Sequence, residues 1–203
     1  MTGARSPIDV THAFTLKSRW LTSALLRRYK MLENRSTEFK SGWYAVHTGV
    51  SKTGDEWAEK HVREACDTEE EIVTISEDIS SGCVPKGHIA GLCRVSHCLP
   101  VASCGHSKWA LGPVCNVIEQ TVWFETPIAH AGQLGTWPLN ESAICALQHQ
   151  VGRCAIASRP HVLEEFPPDG VALLRMRAQN RATKRKQRAG EDVCQPKLAF
   201  AKS

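Results

Sequence analysis

The stretch Lys30-Met31-Leu32-Glu33-Asn34-Arg35 decides the fold, because it marks the corner between a predicted helix and a predicted strand. Before it, the apolar positions of residues 20–29 recur near a spacing of 3.6, which predicts a helix. After it, Ser41-Gly42 opens the apolar run Trp43-Tyr44-Ala45-Val46-His47, which ends at Thr48-Gly49 and predicts a strand. The corner therefore joins a helix to a sheet.

The pattern beyond this corner alternates between helices and strands. Residues 55–66 predict a helix with Trp57, Val62 and Ala65 as its apolar positions, and residues 141–151 predict another. Strands are predicted at residues 88–95, at 114–123 and around 135–137. The acidic stretch 67–78 fits either a short helix or an exposed loop.

The side chains of the corner form a compact set of donors and acceptors. Glu33 and Arg35 point to the same side if residues 32–35 are extended, because side chains alternate with a period of two. A Lys beside a carboxylate and an Arg can read a base edge or hold a phosphate. The structural alternative is that Glu33 and Arg35 form a salt bridge that holds the corner together.

These stretches resemble the ASCH (activating signal cointegrator homology) family of PUA-like barrels. The resemblance covers residues 14–20, the K-x-x-E-N-R signature at 30–35, the G-W strand at 42–49, the P-x-G strand at 85–95, and residues 109–137. It implies an α+β fold, a small PUA-like β-barrel flanked by helices. The predicted division is an N-terminal extension at 1–13, the ASCH domain at 14–152, and a basic, flexible C-terminal tail at 153–203.

Charge is distributed unevenly along the 203 residues. Residues 1–154 hold 15 Lys and Arg against 16 Asp and Glu, whereas residues 155–203 hold 10 against 5. A nearly neutral domain does not bind a phosphate backbone by bulk charge, so a nucleic-acid site in it must be local. Lys184-Arg185-Lys186-Gln187-Arg188 predicts a nuclear-localisation or RNA-contact cluster in the tail.

The apolar runs, the cysteines and the histidines limit the possible partners, location and cofactors of the protein. No apolar run approaches the roughly 18 residues that span a bilayer, so no membrane partner is expected. Nine Cys without regular spacing favour reduced thiols and an intracellular location, nuclear rather than cytoplasmic by the basic cluster. Cys98, Cys104 and His106, with His97, lack a Cys-x-x-Cys pair, so neither a metal nor a cofactor is expected.

The leading hypothesis is an RNA- or single-strand-binding module. Its predicted site is the corner. Aromatic residues there and in a neighbouring loop would stack on a base, and basic residues of the tail would contact phosphates. The candidate residues are Lys30, Glu33, Arg35, Trp20, Trp43, Ser107, Lys108, Trp109, Lys184, Arg185, Lys186 and Arg188. For each of Trp20, Trp43 and Trp109, packing in the core is favoured over stacking on a base. Trp109 is the best candidate for exposure among them, because Ser107 and Lys108 beside it predict a loop.

The resemblance leaves other functions open. Some relatives resemble amidohydrolases that act on N4-acetylcytidine, which would make Lys30 the catalytic residue, and ribonuclease activity is also associated with the family. The family name further implies a protein-interaction adaptor of the transcription-coactivator kind, with protein partners bound through the tail.

Overall fold

A computed structural model describes residues 9–51, 54–158 and 161–168. The chain divides into one unit at residues 1–168 and a second at 169–203, and every described residue lies in the first. The candidate residues Lys184, Arg185, Lys186 and Arg188, and with them the part of the predicted tail beyond residue 168, lie outside the described residues.

Seven strands and five helices form the described part of the chain. The strands are β1 His12–Leu16, β2 Leu32–Arg35, β3 Gly42–Thr48, β4 His88–Pro100, β5 Val114–Ala129, β6 Thr136–Pro138 and β7 Ile156–Ser158. The helices are α1 Arg19–Leu26, α2 Gly54–Ala65, α3 Glu69–Ser80, α4 Glu141–Val151 and α5 Val162–Glu165, with a 3-10 turn at Val101–Ser103.

One mixed sheet carries all seven strands in the order β2-β5-β4-β3-β1-β6, and β7 also pairs with β5. The long strands β4 and β5 pair antiparallel with register shifts near Gly91 and Val95. Such bulges bend a strand and increase its twist. The sheet accordingly curls into a half-barrel, and the α+β class predicted from the sequence is confirmed.

Both faces of the sheet are buried. Phe14, Val46 and Cys93 belong to the core cluster that contains α1, whereas their neighbours Ala13 and Ala45 belong to the cluster under α4. This alternation follows from the period of two along a strand. The first cluster, on the face of α1, α2 and α3, is the one beside the Lys30 corner.

The end of α1 places Lys30 at the start of the sheet. Arg28 takes a left-handed conformation (φ 67°), and the backbone amides of Tyr29 and Lys30 both donate to the carbonyl of Ala24, at 2.9 and 3.0 Å. A left-handed residue just past a helix is a common way of satisfying its last carbonyls. The chain therefore turns sharply after Leu26 and enters β2 two residues after Lys30.

The structure corrects several predicted boundaries. The first helix ends at Leu26 rather than at residue 29, and strands β4 and β5 run past residues 95 and 123. For the acidic stretch the helical alternative holds, because residues 69–78 lie in helix α3. The compact unit ends at Pro168 rather than at residue 152, because β7 pairs with β5 and Phe166 is only 1% exposed. At the other end, β1 begins at His12, within the predicted extension.

None of the helices within residues 9–51, 54–158 and 161–168 is both long and apolar enough to cross a membrane.

Gly91 allows α1 to pack closely on the sheet. Alanine is therefore expected to be more destabilising at Gly91 than at an unpacked glycine such as Gly105. A Cβ there would lie 2.3 Å from the carbonyl oxygen of Val122 and 2.8 Å from Leu26 Cδ2. We expect Gly91→Ala to lower the free energy of unfolding by about 1–3 kcal/mol, as overpacking does. Gly105→Ala, with nothing within 4 Å of the added Cβ, should stay within about 0.5 kcal/mol of the parent in urea unfolding. Equal losses in the two variants would contradict this packing.

Candidate functional site

A cavity of about 240 Å³ lies at the corner between α1 and β2. Lys30, Glu33 and Arg35 all line it, so the structure brings the three residues of the signature together at one site. Trp57 and His61 of α2 line another part of the same cavity. The charges of the corner thus meet an aromatic wall.

The three charged side chains form a chain of ion pairs. The Lys30 ammonium donates to the carbonyl of Leu32 at 2.5 Å and to the Glu33 carboxylate, whose other oxygen lies 2.8 Å from Arg35 Nε. Lys30 is 3% exposed and Glu33 is 4% exposed. Charges this deeply buried require partners, because their desolvation costs several kcal/mol. The corner therefore has the structural role considered for it, and it also lines a cavity.

Arg35 is held in place by groups from three directions. Its Nη2 donates to the carbonyl of Thr15 at 3.0 Å, and its guanidinium lies 5.3 Å from the ring centre of Phe14 and 5.8 Å from that of Phe39. These distances are in the range of cation–π contacts. The guanidinium is therefore pre-oriented at the cavity wall.

Asn34 connects the corner to the loop before β5. Its side-chain amide donates to the carbonyl of Trp109 at 2.7 Å, and its side-chain oxygen accepts from the amides of Leu111 and Gly112 at 2.9 and 3.1 Å. This bonding brings Leu111 to the cavity wall. The signature asparagine thus shapes the cavity by closing a loop over its edge.

Two of the residues that line the cavity each have a buried side-chain nitrogen without a hydrogen-bond partner among the described residues. These nitrogens are Arg35 Nε, which approaches Glu33 without hydrogen-bond alignment, and His61 Nε2. Burial, reinforced by the nearby Lys30 charge, lowers the pKa of His61 below its usual value. At neutral pH His61 is therefore an uncharged imidazole that offers a polar atom to the cavity.

A second cavity of about 850 Å³ adjoins the first and shares Thr15, Lys17 and Trp57 with it. His47 lines it and donates from Nε2 to the carbonyl of His130 at 2.9 Å. Burial is the main cause that lowers the pKa of His47, which favours its neutral form. Among the described residues that line this cavity there is no carboxylate.

The predicted aromatic residues lie elsewhere. Trp20 is buried in the first core cluster, and Trp43 is half-buried beside the second. Trp109, the best candidate for exposure, is packed as the core alternative predicts: Asn34 holds its loop, and the residue is only 7% exposed. Ser107 caps this loop by accepting from the Trp109 amide at 3.3 Å, and Lys108 is exposed. None of these five residues lines the Lys30 cavity.

Sequence reasoning missed the aromatic pair of α2. Trp57 is 58% exposed although it was predicted as an apolar position of its helix, and its ring stacks on His61 at 5.3 Å with 17° between the planes. The spacing of four residues was the available signal, because it places two side chains on one helix face. Lys17, just after β1, was also missed, and it carried no signal of its own in the sequence.

The chain matches no protein-family model, and a comparison with curated proteins finds no match. Among the described residues, no group of three or more His, Cys, Asp or Glu side chains could hold a metal ion. The site is a cation-rich cavity with an aromatic wall, in which the buried His61 Nε2 has no hydrogen-bond partner among the described residues.

The buried ion pairs predict a large effect of removing their shared carboxylate. Glu33→Ala leaves Lys30 buried without a counter-charge, and breaking such a pair typically costs about 3–5 kcal/mol of the free energy of unfolding. Glu59→Ala removes the ion pair between Glu59 and Arg63, whose side chains are both over 40% exposed. It should lower the free energy of unfolding by less than about 1 kcal/mol. Urea unfolding of both variants measures this, and similar losses would show that the corner charges are solvated.

The effect of Lys30 on His61 predicts the direction of a pKa change. Lys30→Met removes a positive charge that disfavours the imidazolium, so the pKa of His61 should rise from its depressed value. NMR titration of the histidine ring signals follows this change, with Lys40→Met, an exposed cation, as the matched control. A pKa of His61 that is the same in both variants would contradict the proximity of the two groups.

Proposed function

We propose that this protein is a single-stranded RNA-binding module that accepts a base or modified nucleotide in the Lys30 cavity. The observation that carries the proposal is the cavity lined by Lys30, Arg35 and His61, where the buried His61 Nε2 has no hydrogen-bond partner among the described residues. Buried polar groups normally have partners, so such an atom beside two cations supports a polar ligand.

The charge of the cavity suits an electron-rich ligand. Lys17, Lys30 and Arg35 line it, and Glu33 is the only carboxylate among its described lining residues. The excess of cations attracts phosphate and the carbonyl oxygens of bases. Lys30 also has three N–H donors, of which Leu32 and Glu33 use two.

We also propose that the domain is of the ASCH type with a PUA-like fold. The five stretches that resemble the family fall in order on β1 with the start of α1, on β2, on β3, on β4, and on β5 with β6. The family's association with RNA supports RNA over other polyanions, and the basic residues beyond the compact unit, at 169–203, would add phosphate contacts. Protein partners bound through that tail belong to the same proposal.

Amide hydrolysis on N4-acetylcytidine is the alternative, and the position of Lys30 beside a carboxylate at a cavity favours it. Two of the three donors of the Lys30 ammonium are, however, already used by the Leu32 carbonyl and the Glu33 carboxylate, which favours a binding role over a catalytic one. Release of acetate from N4-acetylcytidine at a rate far above that of Lys30→Met would establish the hydrolase in place of the binding module.

Binding to single-stranded RNA tests the proposal by fluorescence anisotropy with four labelled homopolymers. We expect the parent to prefer one base by about tenfold or more, since a hydrogen bond to a charged group contributes about 1.5–3 kcal/mol. Lys30→Met should bring the four affinities to within about threefold of one another. Lys60→Met, which removes a 78% exposed cation, should preserve the preference.

Deleting residues 171–203 should weaken binding to all four homopolymers and make it less sensitive to salt, because fewer phosphates are neutralised. The base preference should persist, since it comes from the cavity. Failure of the parent to bind any of the four RNAs, or unchanged binding in both Lys30→Met and the deletion, would refute the module.

A further inference from the structure

The exposed ring of Trp57 stands between the two cavities. Its side chain lines both of them, and so do those of Thr15 and Lys17. One face of the indole is covered by His61, which stacks on it at 5.3 Å, while 58% of the residue remains exposed. An exposed tryptophan backed by a second ring is a rigid flat surface, because its partner limits its rotation.

His61 is itself held from behind. Its ring lies 5.4 Å from that of Trp109 at 83°, an edge-to-face contact. Trp109 is in turn fixed by the hydrogen bond from Asn34 to its carbonyl. Three rings thus form a row from the buried loop to the open face of Trp57, so the orientation of the outermost ring depends on contacts made inside the domain.

We propose that Trp57 is the stacking surface for a second nucleotide, so that the ligand is a single strand spanning both cavities and not a lone nucleoside. This inference rests on the proposed function, because it places the first base in the Lys30 cavity. The flat face of every base can stack on an indole, and such stacking contributes without reading sequence. The second position should therefore add affinity but little base preference.

Lys17 is the residue that suits the linking phosphate. It lines both cavities, as Trp57 does, and therefore lies where a strand would pass from one to the other. The larger cavity presents no carboxylate among its described lining residues, so a phosphate meets no fixed negative charge there. A neutral peptide would gain nothing from this charge arrangement, which is why we assign the site to a nucleotide.

The inference is tested by comparing the four ribonucleoside monophosphates with the four matching homodinucleotides, using the full chain. The parent should bind the dinucleotide of the preferred base about tenfold more tightly than its monophosphate, as stacking of one further base provides. In Trp57→Ala the ratio of dinucleotide affinity to monophosphate affinity should fall to within about twofold. This ratio is the readout, because Trp57 also lines the Lys30 cavity and its loss can weaken binding of the monophosphate as well. Trp57→Phe should retain most of the advantage, because it keeps an aromatic face.

A control variant and a fluorescence measurement show whether the effect belongs to Trp57. Val73→Ala truncates another exposed apolar side chain, on α3, and should leave both affinities unchanged. The dinucleotide should also quench the tryptophan fluorescence of the parent. In Trp57→Phe the quenching should be smaller, because that variant lacks the Trp57 indole. Equal affinity of the parent for the two ligand lengths, or an equal loss for both in Trp57→Ala, would overturn the inference while leaving the binding module intact. Binding of neither length by the parent would instead refute the module itself.

Discussion

The buried ion-pair chain Lys30–Glu33–Arg35 is the interaction on which the rest of this structure depends. A carboxylate that is 4% exposed is tolerable only because a cation lies beside each of its oxygens. This need for two cations constrains the path of the backbone. Lys30, between α1 and β2, and Arg35, at the end of β2, must both direct their side chains at Glu33. The helix-to-sheet corner and the cavity beside it have this common cause.

The structural and the binding interpretations of the signature are therefore compatible. A chain of two cations and one anion stays positively charged after pairing, and its donors outnumber the acceptors that Glu33 and the nearby carbonyls provide. A hydrophobic replacement of similar volume can be as stable as a buried ion pair. Stability alone thus does not account for charges at this position, whereas the polar ligand proposed for the cavity would.

The sequence predicted the parts of the fold that depend on local pattern. The strand at 42–49 and the helix at 141–151 follow from alternation and helical spacing, and the signature residues were correctly placed at one corner. The exposure of Trp57 and the contact that holds Trp109 in its loop could not be predicted, because each depends on a part of the chain that is distant in sequence. The face of α2 is chosen by packing on α1, and the loop of Trp109 is fastened by Asn34, 75 residues away along the chain.

The near-neutral charge of residues 1–154 is compatible with a cation-rich cavity because carboxylates elsewhere are engaged. Asp78 accepts from Arg27 and Ser23, Asp55 pairs with Lys86, and Glu59 pairs with Arg63 along α2. Paired charges cancel at distances beyond a few ångströms, and salt screens the remainder within about 10 Å. The field at the Lys30 cavity is therefore set by its own lining residues, which is why net charge along the sequence neither reveals nor excludes a local anion-binding site.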